Sequence, residues 1–188
     1  RAFCSADVAL AVAWPAGSVA TRTLQAVSRA VRRAVADVLH VVERRCFSGL
    51  CVCGGTDGRA FLGSAERFNL ATGAWEPLSL MPQGRLNAAA AALLGGLLVC
   101  GGVTDSVAVS LSTVVHFDPI GGAWEAMPAM SQRRRAAAAA VVAGRLYVCG
   151  GAIDGSAERF DPQTGTWEAL PPLPQRHGGS VAAAAIGR

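Results

Sequence analysis

The chain contains no lysine, one tyrosine (Tyr147) and three histidines in 188 residues. Without lysine, arginine carries all the side-chain positive charge. We attribute this to coding bias rather than function, because ammonium groups normally serve solvated surface at little cost. His40, His116 and His177 stand in three different contexts, and no metal or triad constellation forms around them. A basic stripe is missing too. The net +4 comes wholly from residues 1–49, where seven arginines face Asp7, Asp37 and Glu43, while the remaining ten arginines are matched by ten acids. No nucleic-acid partner is expected.

Residues 86–104 carry no charge and approach the length of a membrane span. Their counterpart "AAAAAVVAGRLYVCGG" holds Arg145 in its middle, and two glycine pairs break up the 86–104 run, so two strands and a turn are expected. Neither a membrane segment nor a signal peptide is expected. The sequence starts at Arg1 rather than a methionine, which leaves targeting open. Six cysteines do not read as a disulfide framework: Cys53, Cys100 and Cys149 each precede a glycine pair. Equivalent positions in stacked layers lie ~10 Å apart, beyond bridging distance. They read as small buried hydrophobes, and Cys51-x-Cys53 alone is weak evidence for zinc. A reducing compartment, the cytoplasm, fits this usage.

What is present is a phrase written three times. "RFNLATGAWEPLSLMP" begins at Arg67, "HFDPIGGAWEAMPAM" at His116 and "RFDPQTGTWEALPPLP" at Arg159. The pairs Gly54-Gly55, Gly101-Gly102 and Gly150-Gly151 recur at spacings of 47 and 49, and Trp75, Trp124 and Trp167 at 49 and 43. Within a unit, two apolar runs, an alternating segment and a tryptophan strand predict one antiparallel sheet of three or four short strands. In "DPQTG", Asp161 can accept a hydrogen bond from the backbone two residues on, and Gly165 can take positive φ, so the chain reverses. A side chain as large as Trp167 requires cover from a neighbouring unit. The alanine runs 88–92 and 136–140 suit a strand crowded on both faces, against their helical propensity.

The order "R-x-x-A-A-A-A", "G-R-L-Y-V-C-G-G" and "S-A-E-R-F-D-P-Q-T-G-T-W-E-A-L" resembles the kelch repeat, whose units are blades of a β-propeller. The resemblance covers about residues 50–188 and implies an all-β fold: blades at about 50–84, 85–132 and 133–175, with the start of a fourth at 176–188. Three departures stand out. Val115 replaces the family glutamate kept as Glu66 and Glu158, only Tyr147 keeps the family tyrosine, and the first copy lacks a recognisable innermost strand. Too few blades are present to close a ring of the usual four to eight, so open edges capable of self-association are expected. Residues 1–49 form a separate segment with an amphipathic helix at about 21–45. It is read as packed on or linked to the repeats, with a transit or membrane-surface helix and disorder as alternatives.

No catalytic set is visible, so the chain is read as a protein-interaction module without cofactor or metal rather than an enzyme. His116 is expected to be an exposed strand residue. Glu76, Glu125 and Glu168, which follow the tryptophans, are expected to be structural. In kelch domains similar to this one, arginines before each innermost strand line the binding face. The resemblance therefore implies that Arg85, Arg133, Arg134, Arg135 and Arg176, with His177, meet acidic groups of a partner peptide. Asp57, Arg59, Asp105, Ser106 and Asp154 lie in loops after the glycine pairs and are candidates to add specificity. Two other functions go with the resemblance. One is the substrate-recognition part of a ubiquitin ligase, whose adaptor domain this sequence does not contain. The other is a copper oxidase of the same fold, which one tyrosine and three scattered histidines disfavour.

Overall fold

The computed structural model describes residues 49–104, 109–152, 154–175 and 181–186. The helix expected at 21–45 lies outside them, as do Asp105, Ser106, Arg176 and His177.

Regular structure among the described residues is entirely β. The first sheet holds β1 (Gly49–Cys53), β2 (Ala65–Asn69) and β3 (Ala74–Pro77). The second holds β4 (Ala89–Leu93), β5 (Gly96–Cys100), β6 (Val114–Asp118) and β7 (Ala123–Met127). The third holds β8 (Ala138–Val142), β9 (Arg145–Cys149), β10 (Ala157–Asp161) and β11 (Thr166–Leu170). Every strand pairs antiparallel with its sequence neighbour in the same sheet. The expectation that the first copy lacks an innermost strand concerns residues before Gly49 and lies outside the described ones.

Local chemistry explains the reversals. Asn69, Asp118 and Asp161 each accept a backbone hydrogen bond from two residues on (2.9 Å in all three), and Gly73, Gly122 and Gly165 follow with positive φ. The hairpins β4–β5 and β8–β9 turn through Leu94-Gly95 and Ala143-Gly144, all four at positive φ, as two-residue type I′ turns require. The alanine tracts are strands, so tertiary context overrides propensity. β4 and β8 lie against each other, and Ala136 N donates to Asn87 O (2.8 Å) between them. Larger side chains would hold these strands apart.

Strand alternation gives each sheet two faces, and the sheets stack on them. Ala89, Leu98, Cys100, Val114 and Met130 meet Leu146, Val148, Phe160 and Trp167 of the third sheet in one cluster. Met81 and Cys53 meet Val99, Val115 and Trp124 in the other. Each fully buried aliphatic or phenyl group contributes ~1.5–3 kcal/mol. Tryptophan is fixed from two sides. Each ring tilts against the phenylalanine opposite it, with centroids 5.1–5.3 Å apart. Trp124 Nε1 donates to Ser79 O and Trp167 Nε1 to Pro128 O, both 2.8 Å and both in the preceding unit.

The glycine pairs sit where one unit's backbone meets the next. At Gly101 φ is +64°, and a Cβ there would lie 2.3 Å from Arg134 O. At Gly54 the corresponding distance to Arg85 O is 2.5 Å. Gly101→Ala is therefore expected to lose about 2 kcal/mol or more in urea unfolding, from left-handed strain plus the clash. Gly122→Ala, with φ also +64° but nothing within 4 Å, is expected to cost only about 1 kcal/mol.

Candidate interaction face

The loops that follow β1, β5 and β9 and the segments that lead into β4 and β8 gather at one end of the sheets. Backbone bonds tie them together: Gly55 N to Arg85 O (2.8 Å), Gly102 N to Arg134 O (2.9 Å), Arg134 N to Leu111 O (2.9 Å) and Arg135 N to Gly151 O (3.0 Å). Most of the described residues expected to bind a partner lie on this end, but they divide into an interior set and a surface set.

Arg85 and Arg134 belong to the interior, at 3% and 1% exposure. This corrects the expectation that their guanidinium groups face a partner. Arg134 Nε donates to Glu158 Oε1 (2.8 Å), Nη1 to Gly150 O (2.7 Å) and Ser156 O (2.8 Å), and Nη2 to Ser156 Oγ (2.9 Å). Glu158, also 1% exposed, takes Ser131 N (2.8 Å) and Oγ (2.9 Å) on its other oxygen. Every side-chain nitrogen and carboxylate oxygen of this buried pair has a partner of opposite character, as burial of charge demands. Arg85 is held less completely. Its Nη1 donates to Gly101 O (2.8 Å) and Thr113 O (3.0 Å) and its Nη2 to Thr113 Oγ1 (2.9 Å). Its buried Nε finds no acceptor among the described residues. Val115 occupies the place that Glu158 fills in the third unit, so the carboxylate that would take this proton is missing. Burial pulls the Arg85 guanidinium below its ordinary range.

Arg133, Arg135 and Arg59 are exposed. Asp57 is exposed too, and its Oδ1 accepts from Arg59 N and Ala60 N (2.8 Å each). Those bonds, Ala60 first, hold its carboxyl below the usual carboxylate range. Asp154 does the same for its own loop, accepting from Ser156 N (3.0 Å). Hydrogen bonds from the Ser156 side chain and backbone lower its carboxyl likewise. Both aspartates thus shape loops from within while remaining in water.

His116 is buried, against the expectation of an exposed strand residue. Its ring packs over Gly96, where a Cβ would come within 2.5 Å of Nε2, and Nδ1 meets Glu125 Oε1 at 2.8 Å. The absent side chain at Gly96 makes the room. Glu125, Glu76 and Glu168 all serve cross-strand pairs, with His116, Arg67 and Arg159 respectively, as their recurrence after tryptophan implied. Burial pushes the Cys53 thiol up to about 11 and that of Cys100 to about 12. Both are therefore neutral near pH 7, unlike metal ligands or nucleophiles. No cluster of three or more His, Cys, Asp or Glu able to hold a metal occurs among the described residues, and no helix among them is long and apolar enough to cross a membrane.

Three units with paired glycines and outer tryptophans, joined through the buried Arg85 and Arg134, can be set beside known proteins. The family model for the Kelch motif matches residues 52–82, 84–131 and 133–174, more than half of the sequence. The chain belongs to the kelch family. No curated protein matches it. Among solved structures the kelch chain is similar to YjhT, at 18% identity and a TM-score of 0.53, over 68% of this chain and 52% of that one. Identity at this level shows a shared fold alone. The chain spans about half the length of YjhT.

Sequence reasoning missed the partnership of Arg134 with Glu158. A signal for it existed: the third copy keeps both residues, while the second keeps Arg85 and has Val115. Removing one member of the buried pair leaves the other uncompensated, so Arg134→Ala is expected to destabilise the chain by roughly 3–5 kcal/mol in denaturant unfolding. Cys100 is expected to resist iodoacetamide at pH 8 in the folded chain and to react once urea unfolds it, read by mass spectrometry.

Proposed function

We propose that this kelch chain is a docking platform for an acidic protein segment. Its contact surface is the loop end of the sheets, and Arg59, Arg133 and Arg135 are the recognising groups. Kelch repeats generally mediate protein–protein interaction. The observation that carries the finer reading is the division of the arginines. Arg85 and Arg134 anchor the loops from inside, whereas Arg133 and Arg135, on either side of Arg134, point to solvent from the same anchored segment. Guanidinium groups on a held backbone lose less freedom when they meet carboxylates, and their planar forks favour two-point contact. Asp57 and Asp154 fix the loops beside them and set a negative rim that disfavours misplaced acidic groups.

The combined variant Arg59→Ala, Arg133→Ala, Arg135→Ala is expected to raise Kd for an acidic peptide roughly tenfold or more at low salt. Its thermal midpoint should match that of the unaltered chain. Isothermal titration with a glutamate-rich peptide and a neutral control of equal length measures this, and unchanged affinity would remove the three arginines from the proposal.

A further inference from the structure

Arg133 and Arg135 are carried by a stretch of backbone that is fixed at both ends and in the middle. At its start, Ser131 N and Oγ donate to Glu158 Oε2 (2.8 and 2.9 Å). In its middle, Arg134 Nε donates to the other oxygen of the same carboxylate (2.8 Å), while Arg134 N donates to Leu111 O and Arg134 O accepts from Gly102 N (2.9 Å each). At its end, Arg135 N donates to Gly151 O (3.0 Å). One buried carboxylate therefore cinches residues 131–134, and Arg133 sits on the outside of the cinch.

The antiparallel bridge between Arg134 and Leu111 makes the backbone extended at this point. Side chains alternate along extended backbone, so with Arg134 buried its two exposed neighbours share the solvent side. Two residues of rise set their Cα atoms ~6.5 Å apart. The pair ends there, because Ala136, at φ +56°, turns the chain out of the extended line. Neither guanidinium has a hydrogen bond or ion pair among the described residues.

The copies vary these features together. Met81 N donates to Gly63 O as Met130 N donates to Ser112 O, which sets Pro82, Gly84, Leu86 and Val115 against Ser131, Arg133, Arg135 and Glu158. Pro82 has neither N–H nor hydroxyl, and Val115 has no carboxylate. Cinch and arginine pair are present together in one unit and absent together from the other.

We propose that Arg133 and Arg135 select an extended partner segment whose acids stand at alternating positions, acid-x-acid. This rests on the acidic docking function proposed above and adds a spacing rule to it. An extended segment carries its own side chains i and i+2 on one face at the same ~6.5 Å repeat, so two carboxylates meet two guanidiniums without either backbone bending. Adjacent acids fall on opposite faces of such a segment, and only one of them reaches the pair. A mobile loop would adjust to either spacing, whereas the cinched one presents a single distance.

The test uses the full chain and two peptides of equal length and composition, one with Glu-Thr-Glu and one with Glu-Glu-Thr at its centre, in isothermal titration at low salt. The alternating peptide is expected to bind roughly fivefold more tightly, the gain from one further exposed charge pair. Arg133→Ala and Arg135→Ala, each alone, are expected to bring the two affinities together and to keep the thermal midpoint, because one guanidinium cannot measure a distance. Equal affinities for the unaltered chain, tighter binding of the adjacent pair, or a preference that survives in either variant would overturn the spacing rule and leave the acidic docking platform standing. Binding of neither peptide would overturn both.

Discussion

One arginine per junction ties the sheets together, and the rest of the repeat follows from it. Arg85 O accepts from Gly55 N in the first unit while its side chain donates to Gly101 O in the second. Arg134 repeats the arrangement one step on, accepting from Gly102 N and donating to Gly150 O. A backbone carbonyl brought that close leaves no space for a Cβ at Gly54 or Gly101. The positive φ of those residues aims the chain away from the strand it has just completed. Paired glycine and arginine are thus two halves of one contact, some thirty residues apart in sequence. Neither half has a purpose without the other.

A buried guanidinium constrains what surrounds it, because each N–H left without an acceptor has a desolvation cost. The third unit meets the demand with Glu158, which also gathers Ser131 from the end of the second. The second unit meets most of it with Thr113 and backbone carbonyls, and gives Val115 over to the apolar cluster beside Trp124. The two solutions differ in character. One concentrates charge and needs complete pairing to be favourable, while the other trades a donor for extra hydrophobic contact. Both leave the arginine where the junction needs it, which is why the copies diverge at 115 and 158 without diverging in fold.

Much of the architecture could be read from residue types, because turns and strands are local. Asp161 and Gly165 announce their reversal, and the outer tryptophans announce the need for a neighbour. Alanine tracts were legible as strands only through the repeat, since their own propensity points to helix. The candidate site was less legible. Periodicity places Arg85 and Arg134 correctly along the chain, yet it does not reveal whether a long flexible side chain turns inward or outward. That direction is set by carbonyls of another unit, Gly101 O and Gly150 O, which local sequence does not show. His116 was misread for a similar reason: its burial depends on the missing side chain of Gly96 on the strand opposite. Trp75 carries the same local signature as Trp124 and Trp167 but is far more exposed, because exposure belongs to the pair of units and not to the residue.

Separating the anchor from its flanks explains how such a repeat can vary its surface at little structural cost. In an extended segment, neighbouring side chains point in opposite directions, so fixing the middle residue inward turns both flanking residues outward. In the third unit the flanks of Arg134 are Arg133 and Arg135, which puts two exposed positive charges beside a buried one. In the second unit the flanks of Arg85 are Gly84 and Leu86, with no charge at either position. The anchor is held nearly alike in both, through a glycine-pair carbonyl and the carbonyl of the residue just before the third strand of the unit. Changing a flank therefore alters what the loop end can recognise without touching the contact that holds the sheets together. Changing the anchor would alter the sheets before it altered recognition.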